Sequence, residues 1–351
     1  MNRLLFLFCL LFLNVASTYA QEEITVYDWQ TYDNPTIIDM FEKETGIKVN
    51  KKTFVTDIGL DQIIDNDENI DVLVTSHYLL HSWITKNKIN QLDLSKLNNY
   101  QNLDKNYITK LAGIPKANNY AVPYISNMSL MALKKDVALP VFKTVDNIPK
   151  TWGLLFDEKY LSNVESCKIA LMDNPLYVYS VYALYEARSF TSFNETLLKQ
   201  LNSHLFKLKH FYGYIDNKEV LGGFRDQGDV CAAIARSSYA GDMGSNVVLV
   251  EPEEGVPLTM DVMVIPKKSK NVTNAYKFID FMLQHNIAKT LAEDTQGIVA
   301  VSGVQKLVDA KFKDNKFMFP DEKSLRRMFL LRSINDQDKA LLKDAWMQFK
   351  K

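Results

Sequence analysis

The stretch Ile24-Thr25-Val26-Tyr27-Asp28-Trp29-Gln30-Thr31-Tyr32, with the run that follows it, constrains the fold of this chain most. It is β-prone and ends in aromatic residues where a strand should break. Residues 35–45 then place apolar Ile37, Ile38 and Phe41 at helical spacing, with Pro35 near the start and Gly46 just past the end. Ile47 to Val49 begin a second strand. Strand, aromatic turn, helix and strand form the opening of a parallel α/β sheet. Ligands of such sheets bind beyond the carboxyl ends of the strands, which is where Trp29 and Tyr32 fall.

With 351 residues, 47% of them hydrophobic and 24% charged, the composition is globular and the length suits two lobes of ordinary size. A formal charge of −1 gives no nucleic-acid footprint. Residues 1–20 have a basic start at Arg3, an apolar core from Leu4 to Leu13 and a cleavage site after Ala20, the pattern of a secretory signal peptide. The apolar core is short for a membrane span, so an uncleaved anchor is the lesser alternative. Bulky Phe8 before Cys9 argues against a lipoprotein. The exported chain then begins near Gln21 and holds two cysteines, Cys167 and Cys231. In an oxidising compartment an even pair is a disulfide candidate, with two buried thiols as the alternative.

Further along, 71–76 reads as a buried strand and 77–86 as helix. Residues 120–125 and 128–133 read as consecutive strands, with Pro123 marking an edge or a crossover. Strands are expected at 167–172, 229–235, 247–250 and 260–266, and a loop at 252–257. Helices are expected at 197–212, 274–284, 324–331 and 336–349. The tyrosines at 177, 179, 182 and 185 read as a packed helix face rather than a ligand box. Neither repeats nor long linkers divide the chain, so the two lobes should share crossing strands.

Enzyme signatures are missing. There is no Gly-Lys-Ser/Thr phosphate loop, no dinucleotide glycine fingerprint and no Gly-x-Ser-x-Gly elbow. His77 and His81 are four apart but lack the acidic partner of a zinc-protease helix, and read as a solvated helix face. No catalytic residue, metal site or cofactor is therefore expected. A binding constellation remains: aromatic faces and a carboxylate are how proteins hold organic cations. Asp261, where a loop is expected to enter an apolar strand, must be exposed, paired or bound to a cation, because an unpaired buried carboxylate is costly.

These residues resemble periplasmic polyamine-binding proteins, and most closely the putrescine-binding members. The resemblance runs through Trp29 and Tyr32, 41–49, 71–76, 120–124, Glu165-Ser166-Cys167, Gly228-Asp229-Val230-Cys231, Met260-Asp261-Val262 and the tail from Leu330 to Trp346. It implies a two-lobed α/β periplasmic-binding-protein fold (type II-like) closing on its solute like a hinged trap. The implied lobes are 21–124 plus 262–305, and 125–261 plus 306–351. The implied partners are a polyamine and the membrane subunits and ATPase of an ABC importer, with a monomeric protein in the periplasm. Trp29 and Tyr32 match the family's sandwiching aromatics, Ser76 its serine after the third strand, and Asp261 its ammonium-holding carboxylate. The family's cysteine pair falls on Cys167 and Cys231, implying a disulfide.

Three departures stand against this. A family acidic residue falls on Tyr177, an aromatic on Thr259 and a late pocket tyrosine near Gly297. After Cys231 two alignments compete. With a short insertion, Tyr239 and Asp242 keep the family's aromatic and acidic roles, and this one is preferred. Ungapped, the family's tryptophan and aspartate become Arg236 and Tyr239, and a solute with an amine and a carboxylate fits better, its amine on Asp261 and its acid on Arg236. Another small amine or amino acid, or a sensor role in the periplasm, is thus the alternative to polyamine import.

Overall fold

The computed structural model describes residues 22–55, 57, 59–164, 167–187, 193–215, 229–239 and 243–351. The expectations for the signal segment 1–20 and for Asp242 lie outside these residues. Strand β1 (Glu23–Trp29) runs into a single 3-10 turn, Gln30–Tyr32, and helix α1 (Pro35–Thr45) follows. Asn34 caps α1 by accepting from the Ile37 amide at 3.1 Å, and Gly46 ends it at φ 74°, a left-handed conformation that glycine adopts without a Cβ penalty. Phe41 of α1 packs edge-on against Phe278 and Phe281 of the later helix Val272–Met282. Strand β2 (Lys48–Phe54) then pairs parallel to β1, and β3 (Val72–Ser76) pairs with β1 on its other side.

The two lobes are joined by two long strands. Strand β4 (Val122–Lys134) and strand β9 (Val256–Val264) pair antiparallel with each other. Within β4, the first half pairs with β9 and the second half with β7 (Val230–Arg236) and β8 (Val247–Val250). β9 in turn pairs with β3. The sheet order is β2-β1-β3-β9-β4-β7-β5-β6, with β5 at Lys168–Leu171 and β6 at Tyr212–Ile215. The expected crossing strands are therefore β4 and β9. Cys167 and Cys231 form a disulfide with Cα atoms 5.8 Å apart, tying the approach to β5 to its neighbour β7.

Four expectations need correction. Residues 120–125 and 128–133 belong to one strand: Ser126 and Asn127, which look like a break, are buried where β4 passes from one lobe to the other. Strand β9 begins at Val256, so Pro257 lies inside it; there its neighbour is β11 (Met328–Leu330), and β4 joins only from Leu258 onward. A proline is tolerated at such a half-paired strand end. Met328–Leu330 is correspondingly a strand, where a helix was expected. His77 is fully buried rather than solvated, accepting at Nδ1 from the Met260 amide (3.1 Å) and donating from Nε2 to the Leu331 carbonyl (2.7 Å). Burial pushes its pKa down to about 4, so the ring is neutral at ordinary pH and pins β9 to the C-terminal segment.

The tyrosine-rich segment forms helix α2 (Pro175–Tyr185), with Tyr177, Tyr179 and Tyr182 buried. Helix α3 (Glu195–Lys207) and the terminal helix α4 (Asp336–Lys350) pack around it. Tyr179 donates to Asn202 and meets Trp346 edge-on, so that part of the stripe is core, as the sequence suggests.

Candidate functional site

The strand order brings the carboxyl end of β3 against the middle of β9, with β1 on the other side of β3. Asp261 stands there, opposite Ser76 on one side and Ile125 on the other, well inside the strand rather than at its entrance. It is 4% exposed. Tyr32, on the turn after β1, donates its hydroxyl to Asp261 Oδ2 at 2.6 Å, and Ser76 donates to Oδ1 at 2.9 Å. Asn127 of β4 reaches the Tyr32 hydroxyl at 3.4 Å. Two hydroxyls far apart in sequence thus converge on one carboxylate. Burial raises the Asp261 pKa, while the Arg236 charge and the two hydroxyls oppose that rise.

Beside this cluster lies a cavity of about 130 Å³ walled by Trp29, Phe54, Met172, Arg236 and Tyr239, among others. A larger space of about 350 Å³ shares Trp29, Met172 and Arg236 and continues to Asp57, Tyr78 and Asn174. Trp29 leans on Phe54 with ring centroids 4.5 Å apart, so one wall is a fixed aromatic surface from the N-terminal lobe. The opposite wall comes from the other lobe: Met172 just after β5, Arg236 at the end of β7, and Tyr239 on the turn Ser237–Tyr239. Of the residues singled out from sequence, Tyr32, Ser76 and Asp261 form the buried cluster, and Trp29 and Tyr239 face the cavity. Arg236 and Tyr239, the pair that the ungapped alignment offers, line it together, and Tyr239 is common to both alignments.

The departures from the family pattern have physical counterparts. Tyr177 is 1% exposed, and the charges of Arg236, Asp261 and Asp57 act on its hydroxyl; burial pushes its pKa up to about 12, leaving it neutral. Thr259 spends its hydroxyl on the Asn127 carbonyl at 3.3 Å. At Gly297 even a Cβ would come within 2.7 Å of the Ile125 side chain, so no aromatic fits without movement of β4.

Sequence reading missed Asp57, which accepts a short hydrogen bond from Tyr78 and lines the larger space. Only the tertiary structure turns this residue toward Trp29, so no local pattern could have found it. It also missed Asp28, 3% exposed, whose Oδ1 accepts from the Trp29 amide at 2.8 Å and whose Oδ2 lies 3.5 Å from Lys51. Burial, opposed by Lys51, pushes the Asp28 pKa up to about 7. Across the mouth, the N-terminal end of α4 is tied to the other lobe by Lys86–Asp336 (2.7 Å) and Lys339–Asp61 (2.9 Å). Among the described residues, no cluster of three or more His, Cys, Asp or Glu side chains is placed to hold a metal.

A buried carboxylate held by two hydroxyls, beside an aromatic wall and between two lobes joined by crossing strands, is the arrangement of a two-lobed solute-binding protein. The chain matches the family of bacterial extracellular solute-binding proteins over residues 36–320, and it belongs to that family. It is 24% identical to the putrescine-binding periplasmic protein SpuD of Pseudomonas aeruginosa, over 93% of this chain and 91% of that protein. It is 25% identical to the putrescine-binding periplasmic protein PotF of Escherichia coli, over 94% and 92%. Its fold is similar to that of the spermidine/putrescine ABC transporter substrate-binding protein PotD from Streptococcus pneumoniae, with a TM-score of 0.79, 24% identity, and 94% and 98% of the two chains covered.

Proposed function

We propose that this protein is the exported solute-binding component of an ABC importer and that its solute is a small alkylamine, putrescine or a related polyamine. The observation that carries this reading is the Asp261 carboxylate, buried and oriented by Tyr32 and Ser76, and under the charge of Arg236, which lines the same cavity as Trp29 and Phe54. An ammonium group is donor-only and pairs with such a carboxylate, while aromatic faces attract its charge and cover methylene groups. The relatives are periplasmic binding proteins, and among the described residues no helix is long and apolar enough to cross a membrane. We place the signal cleavage after Ala20 and the lobes at 21–124 plus 262–305 and at 125–261 plus 306–351.

The protein performs no covalent chemistry in this scheme. As a monomer it binds solute between the lobes, closes about β4 and β9, and presents the closed form to the membrane subunits. Only the closed form touches the solute from both lobes, so binding shifts the population toward closure. Calorimetric titration of residues 21–351 with putrescine and spermidine, with small-angle scattering to follow closure, is the test. Heat and compaction with at least one alkylamine are expected. Absence of both with every alkylamine tried refutes the proposal.

A further inference from the structure

The groups on the cavity wall differ in kind from those of the Asp261 cluster. Arg236 and Trp29 line both spaces described above, and each is a hydrogen-bond donor with no acceptor capacity. The guanidinium of Arg236 and the Asp261 carboxylate act on each other's charge, yet among the described residues no carboxylate lies within ion-pair distance of the guanidinium. The indole Nε1 of Trp29 is buried and has no hydrogen-bond partner among them. The Arg236 charge also acts on the buried hydroxyl of Tyr177. A terminal ammonium placed among these groups would oppose donors to donors and a cation to a cation. A carboxylate offers about four lone-pair sites, accepts a guanidinium in bidentate fashion and takes an indole N–H besides.

We infer that the cavity selects a zwitterionic solute, with a carboxylate received by Arg236 and Trp29 and an amine at the opposite, acidic end. This rests on the amine-holding role of Asp261 proposed above and replaces the second amine of a polyamine by a carboxylate: Asp261, on which the Arg236 charge acts, and Asp57, which lines the larger space, supply the negative side of the site. Arg236 is then the residue that decides which alkylamines enter. Its position follows from the fold. It ends the apolar run of β7, opposite Ser129 of β4, at the point where the second lobe faces Trp29.

Two four-carbon ligands separate the cases, because γ-aminobutyrate and putrescine share an amine and an alkyl chain and differ at the far end. Calorimetric titration of the mature protein should give γ-aminobutyrate the lower Kd by about tenfold or more, the scale of one charge-assisted hydrogen-bonded contact. Arg236→Gln should remove that preference by weakening γ-aminobutyrate about 10- to 100-fold while putrescine binding holds or improves. Arg236→Lys, which keeps the charge, should retain the preference in weakened form, and thermal melting should show both variants folded. Tighter binding of putrescine by the wild-type protein overturns this inference and leaves the alkylamine reading standing. A ligand ratio unchanged in folded Arg236→Gln also overturns it. No binding of either ligand overturns this inference, and the spermidine titration then decides the alkylamine reading.

Discussion

Asp261→Asn tests the centre of the site. Both carboxylate oxygens already accept a hydroxyl, from Tyr32 at 2.6 Å and Ser76 at 2.9 Å. The amide that replaces them keeps one acceptor for Tyr32, and the Ser76 hydroxyl can rotate to accept from the new N–H. The fold should therefore survive. It should hold its stability or gain some near neutral pH, because burial raises the pKa of this carboxylate and a neutral group escapes that desolvation. Solute binding should respond in the opposite sense. Removing one partner of a buried ion pair costs about 3–5 kcal/mol, or two to nearly four decades in Kd. Calorimetry with the best amine ligand and a thermal melt of the unliganded protein measure the two effects separately. The wild-type amine affinity should also fall as pH drops and the carboxylate protonates, while the variant shows no such dependence. A Kd within threefold of wild type in a folded variant removes Asp261 from the binding role. A variant that melts several degrees lower makes the carboxylate structural instead.

Other outcomes follow from groups around the site. Asp28 has its pKa raised from 3.8 to about 7, so the native state holds a proton that the unfolded chain releases. Its contribution is fully present below pH 4 and is lost as pH rises toward 7, by up to about 4 kcal/mol; Asp28→Asn should flatten the fall in urea midpoint over that window, and an unchanged pH profile would exclude Asp28 as its source. His77 acts in the reverse sense: with a native pKa of about 4 against 6.5, stability should drop as pH falls from 6.5 to 4, and His77→Gln should reduce that acid dependence. Replacing Cys167 and Cys231 together by serine opens a loop spanning 64 residues and should cost about 2–4 kcal/mol in denaturant unfolding, whereas a loss below 1 kcal/mol would show that the unfolded chain gains little freedom. Lys339→Ala removes a half-exposed tie to Asp61 across the mouth, worth roughly 0.5 kcal/mol, so solute affinity should fall about twofold and the scattering radius should increase; a smaller radius would contradict a role in closure.

What could be read from sequence was local or carried by resemblance. Pro35 and Gly46 mark the ends of α1 through their own backbone preferences, and the alternation of apolar runs specifies a parallel sheet. Trp29 and Tyr32 follow β1 directly, so their place at the strand ends was evident from one short segment. Strand limits were harder wherever pairing decides them. Ser126 and Asn127 look like a break until β4 is seen passing between lobes, and Pro257 looks like loop until β11 is seen beside it. Burial of His77 likewise depends on carbonyl and amide groups of Met260 and Leu331 that no spacing rule brings near it.

The sequence alone determined the class of residue at the site: aromatic faces at the start of the chain and a carboxylate in an apolar run near residue 261. Only the tertiary structure decided what each faces. It set Asp261 in mid-strand with Tyr32 and Ser76 as its partners, turned Asp57 toward the cleft, and placed Arg236 and Tyr239 on one wall. The reason is geometric. The site is assembled where β1, β3, β4, β7 and β9 meet, and those strands come together through long-range pairing whose register no local stretch of the chain contains.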